Sequence, residues 1–215
     1  SWFSPKDIDI QGVRHLDLDD ITFAKELGYN IKLLSSYQVN ETGAVHLSTQ
    51  CTLVPQASML ANVNYAFNAV HIEGDLLGPG MLYGQGAGQA PTASAVFGDL
   101  IEAAAKASEG TLASPEKIIY KGKPEFISED EIISGFYLRL TLKDSPAVFA
   151  EIATILGKYQ ISMASVSQKR AESDSLPVVI LTHEVSLSAI KSALAEVKEL
   201  STVQAEPVLY PIKEI

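Results

Sequence analysis

Gly84, Gly86 and Gly88 alternate through the string "YGQGAGQAPTASAVFGDL", directly ahead of a run of good helix formers. Glycine has no Cβ to hold a ligand off the main chain, and a helix start adds partial positive charge. Together these are the chemistry of a pyrophosphate cradle. The spacing is nevertheless G-x-G-x-G, not the dinucleotide fingerprint G-x-G-x-x-G, and no acidic residue follows at a strand end to hold a ribose. A turn of purely structural purpose fits the same string. If the loop touches a cofactor, it does so as the smaller half of a site completed by another domain.

A second candidate is "DSPA", Asp144 to Ala147. A helix starting there, with Ser145 as N-cap and Pro146 as the first helical residue, leaves free N–H groups suited to a small carboxylate such as an amino acid's. An ordinary capped helix is the plain alternative. His15, His46, His71 and His183 show no metal-ligand spacing, although His46 and His71 both sit on polar strand faces, and no metal is expected. Cys51 lies on the apolar side of its strand and reads as core, while Lys25 and Lys32 read as solvated surface. No complete catalytic constellation can be assembled from these residues.

The elements that must position them follow from periodicity. Residues 18–34 open with acidic residues suited to a helix's positive end and stop at Gly28 before a strand. Val45, Leu47, Thr49, Cys51 and Leu53 alternate with polar residues, the period of a strand covered on one face, and Pro55 closes it. "FNAVHIEGD" is a further strand that "GPG" at 78–80 turns back into "MLYG". The next helix, "PTASAVFGDLIEAAAKA", places Pro91 at its first position and Val96, Leu100 and Ala103 or Ala104 on an apolar stripe. Residues 107–134 are polar and aperiodic, which marks a boundary. Beyond it, Phe136, Leu138, Leu140 and Leu142 alternate against Tyr137, Arg139 and Thr141, and a helix striped by Val148, Ile152, Ile155 and Leu156 follows. Two strands, a helix striped by Leu187, Ile190, Leu194 and Val197, and a last strand "VLYPIKEI" complete a βαββαβ order, the ferredoxin-like arrangement.

Composition bounds the function. The 215 residues are 47% hydrophobic, enough to bury a sizeable core, and the formal charge of −10 comes without any basic block. Nucleic acid and anionic membrane are therefore poor partners. The single cysteine excludes an internal disulfide framework and fits a cytoplasmic location, and no segment has the character of a signal peptide or a membrane span. The first residue is Ser1, which suits a piece of a longer protein.

The strings "DITFAKELGYNIKLL", "TLVP", "LANVNYAFNAVHIEGDLLG", "YGQGAGQAPTASAVFGDL" and "SGFYLRLTLKDSPAVFAEIATIL" resemble the latter part of bacterial homoserine dehydrogenase followed by its C-terminal ACT domain. The resemblance implies an α+β chain: the end of a catalytic and dimerisation domain over residues 1–115 (a mixed sheet with helices), a linker over 116–132, and a ferredoxin-like ACT domain over 133–215. It implies an enzyme that interconverts L-homoserine and L-aspartate 4-semialdehyde with NAD(P), feedback by L-threonine, and a homo-oligomer, dimer or tetramer. It also implies that the Rossmann domain, the substrate-binding carboxylates and the proton-transferring lysine lie ahead of residue 18 and outside this chain, which by itself is expected to be inactive.

Residue by residue, the resemblance carries Gly88 to the cofactor, with Gly86 and Ala87 beside it. It carries Asp144, Ser145, Ala147 and Ser162 to the effector. Two of these depart from the family pattern: Ala147 stands where a glycine is common and Ser162 where an asparagine is usual, which puts threonine sensitivity in question. Ser58 and Met59 replace a His-Pro pair and leave the glycine loop untouched. The alternative reading is a stand-alone amino-acid-binding regulatory or assembly module without catalysis.

Overall fold

The computed structural model describes residues 3–111, 122–145, 147–168 and 175–215. Strand β1 (Asp9–Ile10) precedes helix α1 (Leu18–Glu26). Helix α1 begins with a capping box in which the Asp17 amide donates to Asp20 Oδ2 at 2.9 Å, and Gly28 just past its end adopts φ +87°. A residue in that left-handed region closes a helix and frees the chain to extend. Strands β2 (Tyr29–Val39) and β3 (Val45–Pro55) then form a hairpin registered from Tyr29↔Pro55 to Val39↔Val45. Asn40 Oδ1 accepts from the amides of Thr42 and Ala44 and so builds its turn.

Strands β4 (Phe67–Gly74) and β5 (Gly78–Gln85) form a second hairpin. Its turn falls at residues 75–77, not at the "GPG" expected from sequence. Gly78, at φ +69°, supplies the left-handed residue that ends the turn, and Pro79 already sits in the strand opposite Glu73. A two-stranded sheet is all edge, so proline is tolerated there. Helix α2 (Gln89–Ser108) follows.

The rest of the chain comprises β6 (Ile133–Lys143), α3 (Val148–Lys158), β7 (Met163–Gln168), β8 (Ser175–Thr182), the two-residue β9 (Val185–Ser186), α4 (Leu187–Lys198) and β10 (Val208–Ile212). Apart from β9, this is the βαββαβ order read from the sequence. The eight-stranded sheet runs β1-β3-β10-β6-β8-β7, with β2 paired to β3 and β9 to β6. Most of its pairs are antiparallel, whereas β1 and β10 pair with β3 in parallel, so the sheet is mixed.

Backbone contacts divide the described residues into two compact units. One joins the residues up to Ala61 with those from Gly122 to Ile215, and the other begins at Asn62. This partition differs from a break at 116–132. Strand β10 registers Ile212 against Leu53, and the Lys213 amide donates to Leu53 O at 2.9 Å. The described part of the expected linker is tied down as well: Glu125 O accepts from Val45 N, Ile127 N donates to Val45 O, and Lys191 pairs with Glu129.

Two cores cover opposite faces of the sheet. On one face Phe136, Leu138, Leu140 and Leu142 pack under the predicted stripes of α3 and α4. On the other, Phe23 and Ala24 of α1 pack with Cys51, Leu53, Tyr137, Val179 and Tyr210. Tyr137 and Arg139, read from alternation as the polar side of β6, thus lie under a helix from far earlier in the chain.

Lys213 reaches into this unit, where its Nζ donates to Ser36 Oγ at 3.0 Å and burial pushes its pKa below the usual lysine value. A lysine so shifted binds its proton more weakly when folded than when unfolded. Its penalty is present below the folded pKa and is lifted as pH rises through that value toward the ordinary one. The stability of the wild type minus that of Lys213→Met, measured by urea denaturation, should therefore increase with pH across the alkaline range. A flat difference would contradict the assignment.

Candidate functional site

The glycine loop sits between β5 and α2. The Gly86 amide donates to Ala66 O at 2.9 Å, and a Cβ at Gly86 would fall 1.6 Å from Asn68 Nδ2 and 2.8 Å from its Cγ. A side chain at 86 would thus require the Asn68 amide group of β4 to rotate away. The sequence carries no mark of this contact, because it depends on hairpin register. Gly88 differs. It is the N-cap of α2 with φ +131° and ψ 159°, a conformation essentially restricted to glycine.

No side chain caps α2, and the first helical bond runs from Thr92 N to Gly88 O at 3.1 Å. The amides of Gln89 and Ala90 precede that bond and so have no acceptor within the helix, while Pro91 has no N–H to offer. Pro91 is the third helical residue, not the first as expected, and it is tolerated because the opening turn lacks acceptors anyway. Gly86, Ala87 and Gly88 are all exposed. Two unclaimed amides beside a Cβ-free bend and a helix's positive end fit an anionic oxygen such as a phosphate's. The stripe predicted for α2 is exposed in this chain, with Val96, Phe97, Leu100 and Ile101 all open.

The second candidate lies at the end of β6. Asp144 is exposed and Ser145 half-buried, and Pro146 lies outside the described residues. The N-cap of α3 is Ala147, not Ser145, and no side-chain hydrogen bond caps it. Ala147 adopts φ 72° and ψ −7°, the left-handed region where a Cβ is strained. Ala147→Gly is therefore expected to stabilise the chain by about 1 kcal/mol, raising its Tm by roughly 2–4 °C in a thermal scan. An unchanged or lower Tm would refute the strain.

Ser162 is elsewhere. Its carbonyl accepts from His183 N at 2.9 Å, so it belongs to the end of the sheet where Tyr137 pairs with Leu181. Asp144 follows Lys143, which pairs with Ser175 at the other end, roughly 20 Å of strand away. One chain brings Asp144, Ser145 and Ala147 together but does not bring Ser162 to them.

A charged cluster that sequence reasoning missed lies under α1. Asp20, 0% exposed, accepts at Oδ1 from Tyr137 Oη (2.8 Å) and Arg139 Nε (2.5 Å) and at Oδ2 from Arg139 Nη2 (3.1 Å). Arg139 Nη2 also donates to His15 O at 3.4 Å. Burial works against the Arg139 charge, but hydrogen bonding and charge attraction from Asp20 outweigh it and raise its pKa. Burial first and Asp20 second push the Tyr137 hydroxyl far up, so it stays a donor. The signal available was Asp20 in a helix's first turn, indistinguishable in sequence from an ordinary dipole partner.

His46 Nδ1 lies 3.3 Å from Gln38 Oε1, and His71 pairs across its hairpin with Met81. Among the described residues no three His, Cys, Asp or Glu side chains gather to hold a metal, and no helix is long and apolar enough to cross a membrane. Cys51 is buried, and burial raises its thiol pKa.

A mixed sheet with helices is an architecture this chain shares with solved dehydrogenases. The sequence model of homoserine dehydrogenase matches residues 1–101. The homoserine dehydrogenase of Neisseria gonorrhoeae is 36% identical over 91% of this chain, and that of Pseudomonas aeruginosa 34% over 95%. Among solved structures, a homoserine dehydrogenase from Thiobacillus denitrificans superposes with a TM-score of 0.78 at 29% identity over 97% of this chain and 48% of that one, and one from S. aureus with 0.63 at 26% over 100% of this chain and 50% of that one. The chain is similar to homoserine dehydrogenases over nearly all of its length. It spans about half the length of these relatives, 46% and 48% of the two named proteins, consistent with a C-terminal portion.

Proposed function

We propose that this chain is the C-terminal portion of a cytoplasmic, NAD(P)-dependent homoserine dehydrogenase, interconverting L-homoserine and L-aspartate 4-semialdehyde. Residues 133–215 are its ACT regulatory module, and the catalytic lysine and Rossmann domain belong to the remainder of the enzyme. The observation that carries the reading is that homoserine dehydrogenases match this chain over nearly all its length. The cofactor, when bound, accepts or returns the hydride. What this chain adds is a Cβ-free bend at Gly88 and the amides of Gln89 and Ala90, which hold an anionic oxygen in place. Homoserine-dependent reduction of NAD(P) by the 215-residue chain alone would contradict this division of labour.

The effector reading places an amino-acid carboxylate at the Asp144–Ala147 turn. Ser162 reaches such a ligand only from a second copy. Strand β7 is the outer strand of the sheet, and antiparallel pairing of two β7 edges sets the start of one beside the end of the other, which supports a homo-oligomer. L-Threonine at a hundred times its Kd should stabilise the chain by about 2.7 kcal/mol and raise its Tm by roughly 5 °C or more, with L-serine, L-methionine and L-isoleucine as controls. No shift with any of them would withdraw the four effector residues.

A further inference from the structure

We propose that Asp20, Arg139 and Tyr137 form a coupling element that carries a change at the turn after β6 to the start of helix α1. The inference deepens the regulatory reading above and rests on it for the identity of the ligand. Its ground is the double role of one carboxylate. Asp20 Oδ2 accepts from the Asp17 amide, which caps α1, and also from Arg139 Nη2, while Oδ1 takes both Tyr137 Oη and Arg139 Nε. Because Asp20 is fully buried, no water stands ready to replace a lost partner. A displacement of β6 must therefore either move the first turn of α1 with it or undo the helix cap.

The path from the turn is short and stiff. Arg139 and Asp144 are five residues apart on one extended stretch, roughly 17 Å, and β6 is hydrogen-bonded to β8 on one side and β10 on the other. One helical turn beyond Asp20, Phe23 and Ala24 sit in the same core as Tyr137 and Tyr210. Tyr210 stacks on Tyr137 with centroids 5.9 Å apart, and its buried hydroxyl has no partner among the described residues. The cluster thus holds a donor free to take up a new bond if it rearranges. By contrast, the Lys158–Glu196 and Lys191–Glu129 pairs of this unit lie in solvent, where such pairs transmit little.

The test needs no ligand. Amide hydrogen exchange over residues 21–26 of α1, referenced to α4, is compared in the wild type, Ala147→Gly, Arg139→Gln and the double variant, with Arg139→Lys as a charge-keeping substitute should Arg139→Gln fold poorly. Relief of the strained turn by Ala147→Gly is expected to change α1 exchange at least threefold, and the change should vanish once Arg139 is replaced. An α1 response that is absent in the wild-type background, or equal with and without Arg139, would overturn the coupling. Addition of L-threonine tests the ligand independently: a chain whose Tm does not respond rejects the effector reading, while the exchange cycle still decides the coupling.

Discussion

Phe23→Ala should destabilise the chain by about 3–5 kcal/mol, the cost of emptying a fully buried aromatic site. Phe23 is a fully buried anchor of α1, and the core it shares draws large side chains from four elements of the eight-stranded sheet: Leu53 from β3, Tyr137 from β6, Val179 and Leu181 from β8, Tyr210 from β10. A cavity left among residues of a hydrogen-bonded sheet relaxes only partly. Equilibrium urea denaturation followed by far-UV circular dichroism measures the loss. Phe97→Ala is the matched control, since Phe97 on α2 is 65% exposed and its removal should change stability by less than about 0.5 kcal/mol. If both substitutions cost the same, α1 is not integral to the sheet.

Gly88→Val is expected to act on binding more than on stability. At φ +131° and ψ 159°, a β-branched residue is excluded, and even a bare Cβ would meet Pro91 Cδ at 3.3 Å. The bend must open, which shifts the amides of Gln89 and Ala90 away from the position they hold. In the full-length enzyme of the proposed function, this should raise the KM for NAD(P) at least tenfold, a loss of about 1.4 kcal/mol. The thermal midpoint of the 215-residue chain should move by only a few degrees. Unchanged cofactor KM in a folded variant would remove Gly88 from the site. Gly86→Ala separates packing from binding, because its effect should be relieved by Asn68→Gly, which clears the clash.

What the sequence made legible was short-range. The alternation in β6 and the stripes of α3 and α4 appear as buried residues almost one for one, because a period of 2 or 3.6 follows directly from which face is covered. Turn and cap chemistry was less legible. "GPG" and "DSPA" contain residues that favour several local geometries, and the choice among them came from the register Gly74↔Gly78 in one case and from Ala147 at φ 72° in the other. Pro91 shows the same limit: it suits any position whose N–H would go unused. Least legible was the joining of residues before Ala61 to those after Gly122. Strands paired across such a separation leave no periodic trace, and neither does an ion pair between Asp20 and Arg139, each of which reads alone as an ordinary surface charge.

Strand β10 lies inside the sheet, between β3 and β6, although it comes later in the chain than every other described strand of that sheet. During vectorial synthesis the β2–β3 hairpin and α1 are made before β10 and must wait, with Leu53 and Phe23 incompletely covered, until residues 208–212 arrive to close the gap. A domain ordered this way has high contact order and a long interval in which apolar surface is open to aggregation or to chaperones. A nascent chain arrested before β10 lacks the strand that joins β3 to β6 and leaves both of their edges open.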